Sequence, residues 1–109
     1  MAVETSVPVT VTDEASARIA ELGMQPEFER MIEKAKELVP HLRFIRVTLE
    51  YDPEGELDPQ VVIWCHRGDT GWESDRSDWE YRDWKVRTFS PDVCIQFVMI
   101  ILYEAANGR

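Results

Sequence analysis

The sequence predicts an α+β domain in which two N-terminal helices pack on a small antiparallel sheet of about three strands, a two-layer sandwich. Three observations predict it. Apolar residues recur at helical spacing through residues 13–39. After Pro40 the period changes to two. Near the C-terminus, Phe97 to Tyr103 form an unbroken apolar run with the β-rich composition of a central strand.

The elements follow in chain order. Val7, Val9 and Val11 alternate with polar residues, so residues 1–11 read as an extended arm or an edge strand, Pro8 ruling out a central one. Thr12 suits the N-cap of a helix over 13–22, with Ala15, Ile19 and Leu22 on one side and Gly23 closing it. Pro26 opens a second helix. There Phe28, Met31, Ile32, Ala35, Leu38 and Val39 share a face, charged residues occupy the other, and Pro40 ends it. Residues 42–51 and 60–67 read as two strands joined by the turn-rich segment 52–58, a hairpin. Segment 74–88 is helical or irregular, its apolar stripe being thin, with Trp79 and Val86 the pair that would face inward. Ser90-Pro91-Asp92 starts one or two helical turns over 91–96, and a third strand follows over 97–103.

A length of 109 residues is typical of one domain, here 1–109, and is enough for a core without a disulfide or metal. The chain has 21 acidic and 12 basic residues, a net charge of −9, and no basic run. That charge repels phosphate backbones and argues against nucleic acid, whereas a basic protein partner is its natural complement. No stretch is long and apolar enough for a membrane span. With two cysteines and no secretory leader pattern, the expected compartment is the cytoplasm.

Chemistry-bearing motifs are sparse. Cys65 and His66 are neighbours on a strand and point to opposite faces, so His66 cannot activate Cys65 without a bulge. The two cysteines and two histidines lack the paired spacing of a zinc site. Glu50, Asp52, Glu54, Gly55 and Leu57 fall on positions 1, 3, 5, 6 and 8 of a 12-residue calcium loop, but Val61 stands at position 12, where that loop needs a bidentate Glu. No metal or cofactor is expected. Residues Thr10 to Leu22 resemble the opening of A-type iron–sulfur carrier proteins, yet the C-x-C ligand pair of that family is absent, and the identification is rejected. Arg67-Gly68-Asp69 spells an integrin-binding tripeptide but reads more simply as a turn.

What remains is a surface for binding protein. Trp72, Trp79, Tyr81 and Trp84, interleaved with Arg82, have the composition of a binding hot spot. Glu54, Glu56 and Asp58 supply an acidic turn. The functional expectation is a non-catalytic, acidic protein-interaction module, of inhibitor, antitoxin-like or complex-subunit type. The alternatives are a small enzyme using Cys65 as nucleophile and a homo-oligomeric structural protein. A strand over 97–103 needs cover on both faces, so a homodimer or a permanent heteromer is expected unless segment 74–88 supplies the second cover.

Overall fold

The computed structural model describes residues 7–69 and 76–103. Its elements run β1 (Val9–Val11), α1 (Asp13–Leu22), α2 (Gln25–Leu38), β2 (Leu42–Glu50), β3 (Gln60–Arg67), α3 (Ser77–Thr88), α4 (Pro91–Gln96) and β4 (Phe97–Leu102). The fold is α+β. No helix among the described residues is long and apolar enough to cross a membrane.

Two details of the sheet depart from the sequence expectation. It has four strands, in the order β1-β2-β3-β4, and it is mixed. Only the central β2–β3 hairpin is antiparallel; β1 runs parallel to β2, and β4 parallel to β3. Helices are the reason. A helical crossover returns the chain to the end it left, so a strand before a helix pair and the strand after it run the same way. The helices are also not all N-terminal: α3 and α4 form the second crossover.

Local chemistry sets the helix ends as expected. The Thr12 hydroxyl accepts from Ala15 N at 3.2 Å and starts α1. Gly23 ends it with a left-handed φ of 68°, its N–H donating to Ala20 O. Ser90 caps α4 by accepting from Val93 N.

All four helices share one face of the sheet. Ala15 and Ile19 of α1, Phe28, Met31, Ile32 and Ala35 of α2, Tyr81 of α3 and Val93 of α4 enclose a core with Ile45, Val47, Val61, Ile63, Cys65, Phe97 and Met99. Phe28 stacks on Phe97 at 6.2 Å, tying α2 to the outermost strand. Burial of each large side chain contributes roughly 1.5–3 kcal/mol.

Because the two helix pairs lie on one face while the two parallel strand pairs run in opposite directions, the crossovers have opposite hands. One of them is therefore left-handed, which is rare. The two β-α-α-β halves are thus not related by rotation, consistent with a sequence that shows no repeat.

Helix α3 turns a different side inward from the one the sequence suggests. Trp79 and Val86 are 56% and 68% exposed, while Ser77 and Tyr81 are buried. Tyr81 is the anchor: its ring lies in the core, and its hydroxyl donates to Met31 O at 2.9 Å. Apolar character alone does not choose the buried side here, because the polar tip of Tyr81 finds a partner on α2 while Trp79 and Val86 stay in solvent. Tyr81→Ala is expected to cost about 3–5 kcal/mol in urea denaturation, and Val86→Gln less than about 0.5 kcal/mol. Similar costs for the two would reverse this assignment of the helix faces.

Candidate functional site

Three regions compete as the working surface: the aromatic side of α3, the turn between β2 and β3, and the sheet face away from the helices.

The aromatic set is divided. Trp72 lies outside the described residues. Tyr81 is in the core, so it is corrected from a surface contact to a structural residue. Trp84 is half-buried, 5.4 Å from the Tyr81 ring and edge-on to Phe89 at 5.3 Å. The Lys34 ammonium lies 5.6 Å from its ring centroid and the Arg30 guanidinium 5.3 Å from that of Phe89, so α2 cations cap the cluster. Trp79 is exposed, with Arg76 stacked on it at 4.8 Å. Arg82 is exposed and pairs with Asp78 at 3.3 Å. Of the predicted hot spot, Trp79 and Arg82 remain at the surface in full.

The acidic turn is held by one of its own carboxylates. Asp52 accepts backbone N–H bonds from Glu54 (3.2 Å), Glu56 (2.9 Å) and Leu57 (3.0 Å). Those bonds hold its carboxyl below the usual carboxylate range. Gly55, at φ 72°, supplies the left-handed residue that lets the chain fold around it. Glu54, Glu56 and Asp58 are exposed. Among the described residues no group of three or more acidic, His or Cys side chains is disposed to hold a metal ion. The turn stands where β2 passes to β3, and no hydrogen bond or ion pair among the described residues joins it to Trp79 or Arg82.

The third region is the sheet's other face, which carries no helix among the described residues. Cross-strand register lays it out in rows: Phe44, His66 and Leu102; then Arg46, Trp64 and Ile100; then Thr48, Val62 and Val98; then Glu50 and Gln60. The Trp64 indole N–H donates to Thr48 Oγ1 at 2.8 Å, and that hydroxyl donates to Glu50 Oε2 at 2.7 Å. Phe44 stacks on His66 at 4.1 Å. Burial, then the charge of Arg46, lowers the His66 pKa, so the imidazole is neutral at pH 7. Its Nε2 is sealed from solvent with no hydrogen-bond partner among the described residues. At this end a groove of about 680 Å³ opens between Pro8, Phe44, His66 and Tyr103. Sequence reasoning anticipated an uncovered face of β4 but not its other members, because Trp64 and Phe44 gave no signal of which side of the hairpin the helices would take.

The remaining motifs are absorbed by structure. Arg67, 5% exposed, donates from Nε and Nη2 to Asp69 at 2.8 and 2.6 Å, so the tripeptide's two charges satisfy each other. Cys65 is fully buried, and burial pushes its thiol up to about 12. His66 faces the opposite side of the sheet and cannot serve Cys65 as a base, and the thiol itself is out of solvent.

Comparison with protein-family models, with curated proteins and with solved structures finds no match to this chain. Function therefore rests on these surfaces.

Iodoacetamide at about pH 8.5 is expected to leave Cys65 unmodified in the native protein and to label it once urea unfolds the chain. Mass spectrometry reads the outcome, and native labelling of Cys65 would reopen the nucleophile hypothesis. The fold holds this thiol neutral, so the unfolded chain loses the proton first. The thiol's contribution to stability is full below the ordinary value of 9.0 and declines as pH rises from there toward about 12.

Proposed function

We propose that the chain is a non-catalytic protein-interaction module that engages a basic protein partner through the 50–58 turn. One observation carries this reading: the net negative charge is concentrated there. On the helices, acids and bases offset each other in pairs, Arg18 with Glu21, Lys34 with Glu37, Lys36 with Glu33, Arg82 with Asp78 and Arg87 with Asp83. Residues 50–58 contain five acids and no base. Asp52 is taken up in bracing the loop, which leaves Glu54, Glu56 and Asp58 in solvent on a preformed frame. Preformed loops lose less entropy on binding, and a compact field of one sign steers an oppositely charged partner into encounter.

An inhibitor, a neutraliser of a basic toxin or a subunit of a larger assembly all fit such a surface. Free Cys65 and Cys94 suit a reducing compartment, and the cytoplasm is the natural setting. Cys65, buried and on the opposite face from His66, speaks against the rival enzyme reading.

The test begins with affinity isolation of partners from the native host, using the wild type and E54Q/E56Q/D58N, which removes three of the nine net negative charges. The on-rate of the recovered partner is expected to fall by about tenfold or more as salt rises from about 50 to 500 mM, the Debye length shrinking from roughly 14 to 4 Å. The triple variant should show a lower on-rate and a shallower salt dependence. A partner whose on-rate ignores both salt and the three substitutions removes the charge argument.

A further inference from the structure

The open sheet face differs from the rest of the protein in charge. Of the side chains placed there by strand register, two are charged: Arg46 and Glu50, both on β2 and both exposed. Its accessible centre is the half-buried Trp64, Val98 and Ile100, with Val62 and Thr48 of the same rows already buried. An apolar centre with a sparse polar rim is the anatomy of a protein interface, and its near-neutrality gives a basic partner nothing to read.

Arg46 and Glu50 are placed symmetrically about Thr48, two residues on either side, each about 7 Å along the strand. We propose that this face binds a second copy of the same chain, sheet against sheet, about a two-fold axis that crosses the strands along the Thr48–Val62–Val98 row.

The spacing supplies the argument. A two-fold axis along that row runs the stacked strands of the two copies in opposite directions. It sets each copy of Arg46 against the other copy of Glu50, twice, and lays the Thr48–Val62–Val98 row against itself. Such reciprocity is what a self-complementary interface requires. An axis parallel to the strands would instead place acidic turn beside acidic turn. Aligned sheets pack about 10 Å apart, within reach of an arginine and a glutamate extending from facing strands. The acidic turns then lie at opposite ends of the dimer, clear of each other. The face shares Glu50 with the 50–58 segment, but the basic-partner reading is tested at Glu54, Glu56 and Asp58, which the strand register does not place on the face.

Sedimentation at micromolar concentration tests it first. The wild type is expected at twice the 12.7 kDa chain mass. R46E and E50R should each weaken the dimer by at least about tenfold, because each sets like charges against one another. An equimolar mixture of the two variants should restore a dimer. The R46E chain carries an acid at both positions and the E50R chain a base at both, so every contact of the mixed pair joins opposite charges. As an independent readout, V98C in a C94S background lies beside the axis and should cross-link to itself with a short bis-maleimide. A wild type that stays monomeric at high micromolar concentration overturns the proposal. So does a dimer that survives both charge reversals, or one in which V98C does not cross-link; each would place the contact elsewhere.

Discussion

A β-sheet has two faces, and in this protein every helix among the described residues is committed to one of them. That one-sided cover is the constraint on which the other features depend. It follows from the contacts of α2: Phe28 reaches Phe97 on the outermost strand, and the Met31 carbonyl accepts from the Tyr81 hydroxyl, so the second helix pair is drawn to the side already occupied by the first. The result is one deep core and one face without a helix among the described residues, instead of two thin cores. For a chain of 109 residues this is an efficient use of apolar side chains, because a single shared core removes more area from water than two shallow ones.

The same constraint accounts for the unusual topology. The hairpin β2–β3 reverses strand direction in mid-sheet, and each half closes with a helical crossover. Keeping both crossovers on one face forces opposite hands. The preference for right-handed crossovers comes from strand twist and can be overcome where packing compensates. Here the second crossover includes Lys85, half-buried, whose ammonium donates to Phe97 O at 2.7 Å where α4 passes into β4. Burial lowers the Lys85 pKa, and the carbonyl meets one of its donors as it leaves water.

Much of the framework was legible in the sequence, for reasons that can be assigned to residues. The spacing of Phe28, Met31, Ile32 and Ala35 placed α2, and the caps Thr12 and Ser90 placed the starts of α1 and α4. Alternation around Ile45 and Val47, with a turn at 52–58, placed the hairpin. Strand direction was not legible, because alternation reports which face is dry and is silent on which way a neighbour runs. The alternation of Val7, Val9 and Val11 pointed to β1 as an edge strand or arm, and it is an edge strand, but nothing in it gave the parallel pairing with β2. On α3 the signal misled: Trp79 and Val86 were the more apolar pair, whereas the buried positions belong to Ser77 and Tyr81. The acidic turn was read correctly as exposed, but the role of Asp52 as its brace depends on three backbone N–H groups that only the folded loop aims at one carboxylate. The open face was half legible, through Phe97 to Tyr103, and its Arg46 and Glu50 looked like ordinary polar positions of a solvated strand.

The polar groups of that face bear on whether it is built for water or for protein. A face meant for solvent can leave its donors to water; one meant to be covered must satisfy them internally, since an N–H stripped of water without a partner costs about 1–3 kcal/mol. On this sheet the Trp64 indole N–H is already bonded to Thr48, and the Thr48 hydroxyl is already bonded to Glu50. His66 Nε2 is out of solvent before any partner arrives, so covering the face adds no further desolvation cost there. What a partner would displace is water over the half-buried Trp64, Val98 and Ile100, which is favourable. The two charges on the face can meet opposites across a two-fold axis without being buried alone. An arrangement in which the donors are paired beforehand and the charges are reciprocal lowers the cost of association at each polar position, and this favours a covered face over a solvated one.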